Sequence, residues 1–192
     1  YVFDGTKKEG YREDDIPNPQ SVYAQTKWRG EQNVLQSGAN AYVIRTCKLF
    51  GQAGKGAGTK QSFVDLMLTQ ATQKKELFVI DEEYASPTYV FDLAMQTRLL
   101  LEKGFAHGIY HITNSLACTW YGFAQEIFRL SGNHVILHPV NGDYYPRAAS
   151  RPLFSQLLNT KLPPLRSWQE ALAAYCAERS NIIPNQTTVP AH

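Results

Sequence analysis

The chain has 192 residues, 43% of them hydrophobic and 19% charged, and a formal net charge of +2. This is the make-up of one large or two small globular domains, and it excludes collagen-like, disordered and disulfide-framework proteins. No apolar run reaches the ~18–20 residues of a membrane helix, the opening YVFDGTKKEG is no signal peptide, and so small a charge without a basic stripe points away from nucleic acid. The first residues, Tyr1-Val-Phe3, form a short β-favouring run closed by the turn pair Asp4-Gly5. Residues 6–20, polar and carrying Pro17 and Pro19, read as a surface loop. Ser21 can cap a helix predicted over 22–36, with Gly38 as its terminator. Residues 41–46 make a compact β-rich run, expected as a buried strand. A glycine-rich loop covers 51–58, after which Phe63, Leu66, Met67 and Ala71 recur at helical spacing.

Further on, 77–80 reads as a strand and 92–102 as a helix ended by Gly104. A strand at 108–113 precedes an amphipathic helix at 120–130 that Gly132 stops. A strand at 135–137, a Tyr/Pro/Arg-rich loop over 141–152 and a last helix at 168–179 complete the order. The tail 181–192, with two prolines and no periodicity, reads as mobile. Strand–helix alternation with nearly continuous apolar strands predicts α/β layering on a mostly parallel sheet, with a soft boundary near residue 75. Three scattered cysteines, Cys47, Cys118 and Cys176, without a C-x-x-C pair, suit reduced thiols in a cytoplasmic setting.

The strongest chemical signal is Tyr23-Ala-Gln-Thr-Lys27, whose i, i+4 spacing puts a phenol and an ammonium on one helical face. A phenol with a reference pKa of about 10 is a weak acid–base catalyst near neutrality, and a neighbouring cation favours its phenolate. The pair suits reversible proton transfer to a carbonyl oxygen, and the ammonium can also bind a ribose hydroxyl. Taken alone the pattern more often describes a half-buried tyrosine beside a snorkelling lysine, and its context in the chain changes the weighing. The run Gly51-Gln-Ala-Gly54-Lys-Gly56 imitates a dinucleotide fingerprint but lacks a βαβ setting, and reads as a surface loop. His107 with His111, and His134 with His138, have helical ligand spacing but lie on β-type runs, so no metal is expected. Cys47 has no sequence-local activator and reads as a bystander thiol. Phe123, Ile127 and Leu130 form a core stripe, and Tyr144 and Tyr145 either stack on a base or cover the core. Arg147 and Arg151 are balanced between a phosphate fork and plain solvated arginines.

The runs Tyr1-Val-Phe-Asp-Gly5, Tyr11-Arg-Glu-Asp-Asp15 and Tyr23-x-x-x-Lys27-x-x-Gly30-Glu31 resemble the extended short-chain dehydrogenase/reductases, most of all the dTDP-4-dehydrorhamnose reductases. Ile44-Arg45-Thr46, Leu49-Phe50-Gly51, Ser86-Pro87-Thr88, Gly108-Ile-Tyr-His111, Trp120-Tyr-Gly-Phe-Ala124, Pro146-Arg147, Arg151-Pro152 and Trp168-Gln-Glu-Ala-Leu172 continue the resemblance in order, over about residues 1–176. It implies the C-terminal part of a Rossmann-type doubly wound sheet over 1–75 and a smaller α/β substrate-binding lobe mainly over 76–180. It also implies a preceding Rossmann half with the glycine fingerprint, and a Ser or Thr two residues ahead of Tyr1, both outside this chain, which alone is expected to be inactive.

The implied reaction is reduction of the 4-keto group of a dTDP-deoxysugar by NADPH or NADH, the choice between them resting on a residue of that other half. Tyr23 would be the proton donor, and Lys27 would tune it and hold the nicotinamide ribose. Thr46 and Cys47 would border the nicotinamide, Tyr1 and Lys48 would line the sugar site, and Arg151 would meet the nucleotide phosphates. Two departures bear on the sugar: Lys48 stands where these reductases commonly carry tryptophan, and Gln61-Ser62 precede Phe63 in an altered G-x-N-F element. The expected partner is a nucleotide-sugar, with no nucleic acid or membrane, and a homodimer is left open. The chain also resembles the non-catalytic, dinucleotide-binding regulatory subunit of methionine adenosyltransferase, an alternative from a different functional class. A stable substrate lobe without activity of its own is the third reading.

Overall fold

The structure is a computed structural model that describes residues 1–52, 54, 56, 58–149 and 151–182. Lys55 of the glycine-rich loop and residues 183–192 of the expected mobile tail lie outside the described residues. The first helix, α1, spans Val22–Gln36, and Ser21 caps it by accepting from the Ala24 amide at 3.2 Å. Ala24, 1% exposed, seats the helix on the protein. Gly38 follows at φ +71°, a left-handed conformation that glycine adopts without strain.

Strand β1, Tyr42–Arg45, comes next, then β2, Leu49–Phe50, α2, Phe63–Gln73, and β3, Glu76–Ile80. Strand β4, Thr88–Tyr89, leads directly into α3, Val90–Glu102, followed by β5, Gly108–His111, and α4, Trp120–Ser131. Strand β6, Ile136–Val140, and α5, Trp168–Ile182, complete the order. Every α-helix N-terminus but that of α3 is fastened by a local side-chain cap. Thr119 caps α4 through the Gly122 amide at 3.0 Å, and Ser167 with Glu170 forms a reciprocal capping box on α5.

Among the described residues the three strand pairs are all parallel: β1 with β5, β2 with β4, and β3 with β6. Parallel neighbours need long crossovers, and here those crossovers carry the helices, which makes the chain the parallel α/β structure its alternation predicts. The main core joins Phe50, Met67, Leu77, Phe123, Ile127 and Leu172, so helices from both halves of the chain share one apolar cluster. A second cluster gathers Val2, Phe3, Tyr11 and Leu157 beneath the first loop. Among the described residues no helix is long and apolar enough to cross a membrane.

Several local expectations are corrected. Residues 1–3 form no strand; Val2 and Phe3 are buried and the Val2 carbonyl accepts from the Asn18 amide at 2.9 Å. Their apolar pattern reports packing, which short runs do not distinguish from sheet pairing. In β1 only Arg45 is buried, because among the described residues the strand pairs with β5 alone. The two-residue strands β2 and β4 are too short to show periodicity, and β6 runs on to Val140 through Pro139. A single 3-10 turn, Gly142–Tyr144, opens the loop after β6, and α5 continues to Ile182, into the start of the predicted tail.

Candidate active site

Because Ser21 starts α1, Tyr23 and Lys27 fall in its first two turns on one face. The Lys27 ammonium lies 5.5 Å from the centre of the Tyr23 ring. Tyr1 meets that ring edge-on, with centroids 6.3 Å apart. The facing wall is the chain as it leaves the C-terminal end of β1, where Thr46, Cys47 and Lys48 follow one another. Together these residues, with Glu31 and Arg45, line a cleft of about 430 Å³. A cleft beyond the carboxyl ends of parallel strands is where open α/β sheets bind ligands.

Six of the seven sequence-predicted site residues therefore meet in one place. Arg151 is the exception: it lines the adjoining hollow with Trp120 and Arg147. Its guanidinium stands 4.0 Å from the Glu83 carboxylate, and its charge reaches the Tyr1 hydroxyl. Tyr144 stacks on Phe78 and the Tyr145 hydroxyl donates to the Phe78 carbonyl at 2.9 Å, so both pack against β3.

The electrostatics of the cleft follow from burial. Lys48 is held at about pKa 8 because the protein strips its ammonium of water. It donates to the Glu83 carbonyl at 2.8 Å and lies over the Trp120 ring. Its backbone sits at φ +44°, a left-handed conformation that a side-chain-bearing residue rarely adopts. The Cys47 thiol is pushed up by burial and donates to the Ser86 carbonyl at 3.2 Å, which keeps it protonated and un-nucleophilic. Burial also raises the Tyr1 hydroxyl, against the opposing charge of Arg151. The Thr46 hydroxyl oxygen is buried without a hydrogen-bond partner, an open valence in the cleft wall that invites a polar ligand.

Sequence reasoning missed the carboxylates around this site. Glu83, nearly buried, accepts from Arg147 and from the Trp120 indole at 3.0 Å. Nothing separates it by sequence from its neighbours Asp81 and Glu82. Glu31 binds Arg45 through contacts of 2.7, 2.9 and 3.1 Å; its place four residues after Lys27 was the available signal. Glu13 accepts from the His111 amide and from Thr160. His107 packs on Tyr42 and His138 on Glu76, and among the described residues no group of three or more His, Cys, Asp or Glu side chains is arranged to hold a metal.

A parallel α/β chain of this kind has the fold of the short-chain dehydrogenase/reductases, and the Tyr23–Lys27 pair beside the strand-end cleft is its candidate site. The sequence profile of the RmlD substrate binding domain matches residues 1–181, and the chain belongs to that family. It is 36% identical over 187 residues to the spore coat polysaccharide biosynthesis protein SpsK of Bacillus subtilis, covering 94% of this chain and 62% of that protein. It is 33% identical over 199 residues to a dTDP-4-dehydrorhamnose reductase of Streptomyces griseus, covering 96% and 64%. The crystal structure of dTDP-4-dehydrorhamnose reductase from Bacillus anthracis in complex with NADP superposes with a TM-score of 0.84 at 31% identity, over 93% of this chain and 62% of that one. The chain thus spans less than two thirds of the length of these relatives.

Proposed function

We propose that the protein carrying this chain reduces the 4-keto group of a dTDP-linked deoxysugar, in the manner of a dTDP-4-dehydrorhamnose reductase, using NADPH or NADH. The observation that carries this reading is the shared cleft. Tyr23 and Lys27 stand on one wall, and Thr46, with its unpartnered hydroxyl, stands on the other. That hydroxyl and the Lys27 ammonium, which has no carboxylate within 4.0 Å among the described residues, fit the polar edge and ribose of a nicotinamide cofactor. The names of the Streptomyces griseus relative and of the NADP-bound Bacillus anthracis structure support it.

Bound nicotinamide supplies the hydride. The chain's own residues supply the rest. The Tyr23 phenol donates its proton to the C4 oxygen as negative charge gathers there. Lys27, 5.5 Å from the ring, stabilises the charge left on the phenol oxygen and donates to the ribose. The backbone at Thr46 and Cys47 borders the nicotinamide, while Tyr1 and Lys48 hold the sugar. Arg151 and Arg147 offer guanidinium forks to the diphosphate, with Glu83 holding Arg147 in place.

The test is turnover by the full-length protein of a dTDP-4-keto-6-deoxysugar, followed by loss of reduced-nicotinamide absorbance. Turnover of roughly 1–10³ s⁻¹ is expected. Dinucleotide binding without turnover of any nucleotide-ketosugar would instead favour the regulatory-subunit reading.

A further inference from the structure

We infer that Arg45 is a positioning residue that saturates the Glu31 carboxylate and so keeps it from capturing Lys27. The inference rests on the reading of Tyr23 and Lys27 given above. Glu31 lies one helical turn after Lys27 on α1, the i, i+4 separation at which a lysine and a glutamate reach each other. Yet Lys27 leans over the Tyr23 ring and pairs with no carboxylate among the described residues. The reason is on the facing strand. The Arg45 guanidinium covers both Glu31 oxygens, with the two side chains only 6% and 11% exposed.

Arg45 is itself held for this task. Its guanidinium lies 5.2 Å from the centre of the Phe3 ring, and Nη1 reaches His111 Nε2 at 3.4 Å. His111 Nδ1 meets the Leu158 carbonyl at 3.1 Å, so it carries the ring proton and Nε2 is left to accept from Arg45. Glu31 is the one carboxylate within 4.0 Å of Arg45 among the described residues. A nearly buried carboxylate stripped of this partner would seek the nearest cation, and on this helix face that cation is Lys27. The cost would be felt in the cleft: the ammonium would leave both the phenol and the ribose site.

The test compares the wild-type full-length protein with Arg45→Met, Glu31→Gln and the double variant. NADPH affinity is measured by fluorescence titration, turnover by initial rates, and folding by thermal unfolding. In Arg45→Met, the Kd for NADPH should rise about tenfold and kcat should fall about 10–100-fold, with the KM for the nucleotide-sugar little changed. Adding Glu31→Gln should recover most of both losses, because no carboxylate is left to hold Lys27. A double variant as impaired as Arg45→Met, or more so, would overturn the inference, since it would mean the ion pair acts only as a brace. Where Arg45→Met does not fold, Glu31→Gln decides: its Kd for NADPH should stay within about twofold of wild type even as its melting temperature falls, and a tenfold weakening would refute the role. Because Kd is read without turnover, these outcomes stay separate from a failure of Tyr23 as the proton donor.

Discussion

The ammonium of Lys48 stands 4.0 Å from the centre of the Trp120 ring while donating to the Glu83 carbonyl. The ring face and the carbonyl each replace part of the water that burial removes, and neither neutralises the charge. The nearby Glu83 carboxylate is already engaged by Arg147, with Arg151 at 4.0 Å. Three cations, Lys48, Arg147 and Arg151, therefore gather around one carboxylate at this end of the cleft, a local excess of positive charge that would suit an anionic ligand.

Lys48 gives this excess a pH dependence. With its pKa drawn down to about 8 by burial, the ammonium prevails below pH 8 and the neutral amine above it. If the ammonium donates to the substrate, the KM for the nucleotide-sugar should rise by about tenfold between pH 7 and pH 9. The same profile measured for Lys48→Met, at saturating cofactor, should be flat. A flat profile in the wild type would take Lys48 out of substrate binding.

Tyr23→Phe removes one exposed hydroxyl from a ring that is itself 58% exposed. The melting temperature should therefore hold. Turnover should fall by roughly 10²–10⁴-fold, the usual worth of a positioned proton donor. Steady-state rates on the full-length variant check this, and unchanged kcat would remove Tyr23 from the mechanism.

Arg151 is partly exposed and only loosely tied to Glu83, so its loss should cost little stability. Arg151→Ala is expected to raise the KM for the nucleotide-sugar more than it lowers kcat, the pattern of binding shared by ground and transition states. An effect confined to kcat, in initial-rate measurements across substrate concentrations, would contradict a phosphate contact.

His111 makes stability sensitive to acid. Burial, with the Arg45 charge adding to it and the Glu13 carboxylate opposing it, lowers the folded-state pKa to about 4 from the ordinary 6.5. The folded protein holds the ring neutral where the unfolded chain protonates it, so stability from this group is full above pH 6.5 and is lost as pH falls toward 4. Urea unfolding at a series of pH values should show that decline, and His111→Asn should flatten it between pH 6.5 and 4. A slope unchanged in the variant would assign the decline to another group.

The helices were largely legible because their signals are local. Ser21 and Gly38 bracket α1, and Gly132 stops α4 in the left-handed conformation its position requires. The Tyr23–Lys27 pair was legible for the same reason, since helix geometry alone brings i and i+4 together. Less legible were the runs whose state depends on a partner. Tyr1-Val-Phe3 has a strand's composition but packs without a ladder, while Leu49–Phe50 and Thr88–Tyr89 pair although neither is long enough to carry a pattern.

What the sequence by itself determined, then, was the helical frame, the α/β class and the pairing of Tyr23 with Lys27 on one helix face, all properties of residues near one another in the chain. The tertiary structure alone decided which charges meet. Arg45 reaches Glu31 across fourteen residues, Arg147 reaches Glu83 across sixty-four, and Glu13 reaches Thr160 across 147. Local pairs such as Arg98–Glu102 form in water on one helix face, but the buried pairs around the cleft need folding to exclude water around both members, and that exclusion belongs to the packed chain rather than to any segment of it.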